Sequence, residues 1–402
     1  MINMFKINKS KIKTKIVAVA KDEGAYFSEW IHHHLYLGFD AIDIYVNRTS
    51  DNSLEILKKI SDKYPQVNFF TADWIDLCSE EVSGKIQEIV YALALDKEKK
   101  NKDFDYLMYL DIDEFWMPRD LTTSIDKVIS KLKHPDSISF QWVNELGREE
   151  PFSQLSCDIV GRRHKLVKTA FKVSDKVQKV LLHLPVISRA KMLLADGTAY
   201  KPEDGQHEQL NSSLSSNREV MIIHRMFRSP IEYVSLLNRG RPSSKQSQIK
   251  TNRSGYNRCM GEETTFSLDR AAYKIYSQSF IDFLDAIALS KEVKLARKFI
   301  LKRYEKSINA ISSIDNKEAT KAVRALQFTN EEIYRELVKK FGDDKFISSI
   351  GRPVVLKEMA TYFSTIDINV ALRYVERALE IHPKAPQIID LHKRLLQQAK
   401  NS

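Results

Sequence analysis

Residues 104–116 read Phe-Asp-Tyr-Leu-Met-Tyr-Leu-Asp-Ile-Asp-Glu-Phe-Trp. An apolar, β-prone run, Tyr106 to Leu110, ends in Asp111, Asp113 and Glu114. Successive side chains of a strand alternate, so Asp111 and Asp113 are expected on one face, with Ile112 on the other. Two carboxylates side by side repel, and a hard divalent cation held by oxygen ligands relieves that cost. Mg²⁺ and Mn²⁺ are commonly held by one or two carboxylates plus substrate phosphates. The pattern therefore predicts a nucleotide-diphosphate site at the carboxyl end of a central strand, where ligands of open α/β sheets lie. The plain alternative is that acids after a strand cap a helix or face water.

Upstream of this stretch the chain alternates strand and helix. Lys15–Ala20 reads as a buried strand and Ala25–Leu37 as a helix packing through Phe27, Trp30, Ile31, Leu35 and Leu37, closed by Gly38. Ala41–Val46 reads as a second strand, Leu54–Tyr64 as a helix stopped before Pro65, and Val67–Thr71 as a third strand. Ser83–Lys99 completes the series as a helix. Such alternation predicts an α/β fold with a mostly parallel, Rossmann-like mixed sheet. No Gly-x-Gly-x-x-Gly follows the first strand, which argues against a dinucleotide cofactor.

Downstream the texture changes twice. Ile138–Val143, Lys165–Val173 and Val220–His224 read as irregularly spaced strands, and residues 237–257 as a basic loop carrying Arg239, Arg241, Lys245, Lys250 and Arg253. A segment that orders over phosphate and a plain surface loop both fit that composition. Residues 262–341 contain no Gly and no Pro, which predicts an all-α C-terminal region. A domain boundary is accordingly expected at 260, between 1–260 and 261–402. Ala371–Pro383 resembles the second helix of one tetratricopeptide unit. No second copy follows at the 34-residue period, so it reads as a helical cap or docking appendage.

The chain has 402 residues, 63 Lys and Arg against 53 Asp and Glu, and a formal charge of +10. That excess suits anionic partners: a nucleotide sugar, an anionic membrane surface or nucleic acid. Lysines 6, 9, 11, 13 and 15 could touch lipid headgroups, or form a solvated end. Three widely spaced cysteines, Cys78, Cys157 and Cys259, form no zinc or disulfide pattern. With no apolar run long enough for a membrane span and no signal-like segment at the N-terminus, a cytoplasmic location is expected, peripheral to the membrane's inner face at most.

Several blocks occur in a telling order: Lys21-Asp-Glu23, Glu29-Trp-Ile-His-His-His-Leu-Tyr-Leu-Gly38, Ile44-Tyr-Val-Asn-Arg-Thr-Ser-Asp51, Gln87 with Tyr91-Ala92, Leu110-Asp-Ile-Asp-Glu-Phe115, and His224 with Arg228-Ser229 and Arg239-Gly240. Over roughly residues 14–245 this order resembles the family 2 and family 92-like glycosyltransferases of the A-type fold. The resemblance implies metal-dependent transfer of a sugar from a nucleotide-sugar donor, by inversion, with Mn²⁺ or Mg²⁺ as cofactor. Asp111 and Asp113 match the family's metal and diphosphate motif. Glu23, Asn47 and Asp51 match its nucleotide loops, and His224 matches a late histidine that completes the diphosphate or metal site. His34 aligns with a packing histidine of the helix, whereas His32 and His33 are expected to be exposed. Val46 stands where the family carries Asp, and Arg228 replaces a Lys, keeping charge but changing geometry.

In such a reaction negative charge grows on the leaving diphosphate. A cation on Asp111 and Asp113, helped by Arg225 or Arg228, would offset it. Inversion needs a general base. Glu145, Glu149 and Glu150 follow the Ile138–Val143 strand, and Glu145 is the first choice. The expected acceptor, by analogy, is a glycan or glycolipid such as lipopolysaccharide or capsule. Two other classes fit part of the pattern. A nucleotidyltransferase would share the carboxylates but wants a basic Gly-rich loop where Lys21-Asp-Glu-Gly24 is acidic. A basic adaptor binding membrane or nucleic acid would leave the acids without a role; no nucleic-acid motif with stacking aromatics is found, and no nucleic acid is expected as partner.

Overall fold

The structure, a computed structural model, describes residues 11–239, 250 and 252–401. Lys6, Lys9 and most of the basic loop, including Arg241 and Lys245, lie outside the described residues.

Four parallel strands open the chain: β1 (Thr14–Ala20), β2 (Ala41–Val46), β3 (Val67–Thr71) and β4 (Tyr106–Tyr109). β1 and β2 are buried on both faces, as expected of a parallel sheet between layers of helices. Those helices are α1 (Phe27–Tyr36), α2 (Ser53–Lys63), the short α3 (Glu80–Ser83) and α4 (Ile86–Asn101). A buried triad stitches the sheet to α4: Lys15 Nζ lies 2.6 Å from Glu98 Oε1 and 3.1 Å from Asp43 Oδ2.

Next come β5 (Glu114–Pro118), α5 (Ile125–Lys131), β6 (Ser137–Glu145) and the long β7 (Asp158–Lys172). β8 (Val177–Lys179) and β9 (Val186–Ile187) form a separate ribbon. β10 (Met192–Leu194), β11 (Pro202–Glu203), β12 (Gln206–Leu210), β13 (Val220–His224) and β14 (Glu262–Ser267) complete the strands. Twelve of the described strands form one sheet, with the path β3-β2-β1-β4-β7-β6-β13-β5. β7 runs antiparallel to β4 and β6, and β5 antiparallel to β13. Hence β1, β2, β4, β6 and β13 all point the same way, and their carboxyl ends share one edge. This is the expected mostly parallel mixed sheet followed by helices.

Three local expectations change. Asp111 and Asp113 do not continue a strand: Glu114 N–H donates to Asp111 O at 3.0 Å, closing a turn after β4. The chain then re-enters the sheet as β5, beside β13 rather than β4. Glu262–Ser267 is a strand, not a helix, because its alternating burial lets it extend the edge of β7. Finally, His32 and His33 are buried, because α7 (Arg270–Ile287) covers α1. His33 Nε2–H donates to Trp116 O (2.9 Å), and its Nδ1 accepts from the Tyr276 hydroxyl (3.1 Å). His34, buried as expected, donates from Nδ1 to Trp30 O (2.8 Å) and accepts the Trp116 N–H (3.3 Å). Both rings hold β5 in place.

The chain forms two compact units. The first comprises residues 11–146, 154–226 and 260–297, and contains the sheet, α1–α5 and α7. The second comprises the described residues of 147–153, 227–259 and 298–401, and its elements are helices. It holds α6 (Pro230–Asn238), most of α8 (Ser290–Ile311), α9 (Ala319–Leu326), α10 (Glu331–Phe341), α11 (Asp344–Ser349), α12 (Pro353–Phe363), α13 (Ile368–Ile381) and α14 (Pro386–Asn401). Ser229 caps α6 reciprocally: its hydroxyl oxygen accepts from Glu232 N–H and its O–H donates to the Glu232 carboxylate. α13 packs between α12 and α14 on an apolar face that includes Val370, Tyr374 and Ala378. The stacked rings of Phe363 and Tyr374 lie in this core.

Candidate active site

Glu23, Asn47, Asp51, Asp111, Asp113, Glu145, His224 and Arg225 lie at the carboxyl edge of the first unit's sheet, whereas Glu149, Glu150 and Arg228 belong to the second unit. After β1 comes Lys21-Asp-Glu-Gly24, and after β2 comes Asn47-Arg-Thr-Ser-Asp51. These two loops are knitted together. Asp51 Oδ2 accepts the Gly24 N–H (2.9 Å), and its Oδ1 accepts the Ser53 N–H at the start of α2 (3.0 Å). Asp22 accepts the Ser50 N–H at 2.6 Å, and its own N–H donates to Thr49 Oγ1 at 2.8 Å. Asp22 and Arg48 both have left-handed backbones, with φ of +50° and +49°. Strain at two facing loops is typical of positions a binding site holds in place. Glu23 is buried; Asn47 is buried with its Nδ2 on Ala72 O (3.2 Å), and among the described residues its Oδ1 has no hydrogen-bond partner.

The acidic turn has its own counter-charge. Lys168 of β7 is 1% exposed, yet its ammonium lies 3.1 Å from Glu114 Oε2 and 3.3 Å from Asp111 Oδ2, and donates to Leu182 O. The register explains its place. Met108 pairs with Ala170, so Lys168 falls level with Leu110, where β4 has already ended and the turn begins. Burial works against its charge, but Asp111 and Glu114 outweigh it and its pKa is raised; it stays protonated. Burial pushes the fully enclosed Glu114 carboxyl well up, against the pull of Lys168. Gln87, at the start of α4, fixes the other oxygen of Asp111, donating at 2.7 Å.

Asp113 has different neighbours. Its carbonyl accepts the Arg225 N–H (2.7 Å), and its Oδ2 lies 3.5 Å from His224 Nε2 at the end of β13. His224 Nδ1 lies 3.0 Å from Asn144 Oδ1. In the neutral ring that contact places the proton on Nδ1 and leaves the Nε2 lone pair toward Asp113. A carboxylate oxygen and an imidazole lone pair that face each other form a donor set for a cation, and the carbonyl behind the ring is the usual support of a metal-ligating histidine. Trp142 packs on the His224 ring, 4.2 Å between centroids. Among the described residues no group of three or more His, Cys, Asp or Glu converges as a metal cage. The residues fit a two-ligand divalent site completed by a diphosphate, not a closed protein site.

Arg225 and Glu145 face each other. Arg225 Nε donates to Glu145 Oε2 (2.7 Å) and Nη1 to Glu29 Oε2 (3.0 Å), with all three largely buried. The guanidinium lies between two carboxylates, so the residues read as phosphate ligand and base are also one ion-pair network. Arg228 belongs to the second unit, with φ +56° and its carbonyl accepting from Arg148 N–H and the Tyr256 hydroxyl.

Residues 18–154 match glycosyltransferase family 92. No curated protein matches the chain. The family 92-like stretch contains Glu23, Asn47, Asp51, Gln87, Asp111, Asp113 and Glu145, and supports a glycosyltransferase. Lys168, His224 and Arg225 lie beyond it and are joined to it through β7 and β13. Sequence reasoning missed Lys168 and Asn144 as members of the site. The one available signal was a lysine inside the apolar run Leu166–Phe171.

Proposed function

We propose that the protein transfers a sugar from a nucleotide-diphosphate donor, first of all a uridine diphosphate sugar, to a hydroxyl of a glycan or glycolipid acceptor. The observation that carries this is the pairing of Asp113 Oδ2 with His224 Nε2 at 3.5 Å, at the carboxyl edge of a mostly parallel sheet in the family 92-like segment. Asp113 and His224 would hold Mn²⁺ or Mg²⁺, with Asp111 beside them. When bound, the ion supplies positive charge against the diphosphate leaving group. The loops around Glu23, Asn47 and Asp51 would form the wall for the nucleoside. Arg225, held by Glu29 and Glu145, keeps Asp113 in place through its backbone N–H. Inversion, with Glu145 as base, is carried over from the family resemblance, as is an acceptor of the lipopolysaccharide or capsule kind made in the cytoplasm, at the inner face of the membrane. No helix among the described residues is long and apolar enough to cross a membrane, so contact there would be peripheral.

The test is a thermal-shift series with nucleoside diphosphates, with and without Mn²⁺. Uridine diphosphate with Mn²⁺ should raise the melting temperature of the wild type and not of Asp113→Ala. Equal stabilisation of both proteins would remove the metal site from the proposal, and no stabilisation by any nucleotide would remove the donor site.

A further inference from the structure

We propose that Lys168 is a positioning residue of this site: a built-in cation that occupies Asp111 and leaves Asp113 and His224 as the protein's ligands to the divalent ion. The proposal rests on the reading of the site as metal- and diphosphate-binding. Three carboxylates, Asp111, Asp113 and Glu114, crowd four residues of one turn. The lysine on β7 reaches two of them, Asp111 at 3.3 Å and Glu114 at 3.1 Å, and neither its exposure nor its direction makes it a substrate contact. Asp111 is then held at both oxygens, by Lys168 on Oδ2 and Gln87 Nε2 on Oδ1, while its N–H donates to Glu114 Oε2 at 2.9 Å. Asp113, one peptide unit past Ile112, faces His224 instead.

Two carboxylates of like sequence context thus receive different duties. Asp111 is neutralised from inside the protein and sets the geometry of the turn. Asp113 faces the His224 ring and would share the ion with it. A site with one committed carboxylate holds its metal less tightly than one with two, which suits an ion that also binds and releases a diphosphate. The lysine therefore tunes metal affinity downward as well as fixing the turn.

The experiment titrates Mn²⁺ alone into wild type, Lys168→Arg, Lys168→Met and the double variant Lys168→Met/Glu114→Gln, by calorimetry, with melting temperatures measured in parallel. The double variant guards against misfolding, since Lys168→Met alone leaves Glu114 buried without its cation. Release of Asp111 to act as a second ligand should tighten Mn²⁺ binding by about tenfold in the Met variants, from the removal of one nearby positive charge. Lys168→Arg should keep the wild-type affinity. A purely structural lysine would give unchanged or weaker Mn²⁺ binding together with a lower melting temperature, and that result overturns the inference while leaving the metal site standing. Absence of any Mn²⁺ binding to wild type, with uridine diphosphate present or not, overturns the reading of the site and the role of Lys168 with it.

Discussion

His224 Nε2 lies 3.5 Å from Asp113 Oδ2, with the ring's other nitrogen 3.0 Å from Asn144 Oδ1. The second contact gives the first its meaning, because it sets which nitrogen of the neutral ring carries the proton. Loss of such a support typically costs 10–100-fold in metal affinity. Asn144→Ala should therefore weaken Mn²⁺ binding in the presence of uridine diphosphate by about 10–100-fold. Its stability cost should be only about 1 kcal/mol, that of one buried hydrogen bond. Asn144→Asp keeps an acceptor in place and should retain most of the affinity. Calorimetric titration of the three proteins decides it: equal affinities would mean that the ring does not bind metal through Nε2.

Arg225 makes the opposite kind of prediction. Its guanidinium bridges Glu29 and Glu145, and all three side chains are mostly withdrawn from water. Removing one member of a buried pair leaves an uncompensated charge and costs about 3–5 kcal/mol. Arg225→Ala should show that loss in urea unfolding, and pairing it with Glu145→Gln should recover part of it, since a buried carboxylate is removed together with its cation. If Arg225 served the donor phosphates instead, the single variant would raise the KM for the donor and leave the unfolding midpoint where it was.

Burial of the histidines on α1 has a consequence for pH. His32 sits among the rings of Tyr36, Tyr276, Phe280 and Phe283, and desolvation lowers its pKa to about 4. The unfolded ring takes up its proton near pH 6.5. Between those values the unfolded state holds more protons, so stability falls as the pH falls. The slope for one histidine is about 1.4 kcal/mol per pH unit, roughly 2 kcal/mol between pH 6.5 and 5. His34, lowered to about 3, adds to the same loss. His32→Phe, which keeps an aromatic ring in the cluster, should reduce the difference between the urea midpoints at pH 7 and pH 5. An unchanged difference would show that His32 is protonated equally in both states.

These features differ in how far the sequence discloses them. β2, β3 and β13 stand at their expected bounds because each is a short apolar run ended by polar or turn-forming residues. The acids after β4 stand out for the same reason, since charge follows the apolar run directly, although nothing local shows that Asp111 and Glu114 pair with Lys168. β5 is hidden, since Phe115-Trp-Met follows the acids without a break and its partner β13 lies a hundred residues on. Lys168 is hidden more deeply. Within β7 it interrupts the run Leu166–Phe171, but only the register with β4 brings it to the turn. His32 and His33 look like an exposed polar run until α7, distant in sequence, closes over them. What local pattern cannot supply in each case is a long-range pairing that decides which face is dry.

Gly161 offers a way to disturb the site through such a pairing. It stands on β7 opposite Glu145 of β6. A Cβ placed there would lie 2.6 Å from the Asn144 carbonyl oxygen and 2.7 Å from Val143 Cγ1. Backbone cannot give way cheaply, so β6 must shift just where Asn144 supports His224. Gly161→Ala should cost about 1–3 kcal/mol, the usual effect of overpacking. It should also weaken Mn²⁺ binding, although the added methyl touches none of the proposed ligands. Gly351→Ala is the control, since a Cβ there meets nothing within 4 Å. Melting temperature and Mn²⁺ affinity should both fall in Gly161→Ala, and the Mn²⁺ affinity of Gly351→Ala should match the wild type. A Gly161→Ala protein that loses stability yet keeps its Mn²⁺ affinity would show that the position of Asn144 does not govern the site.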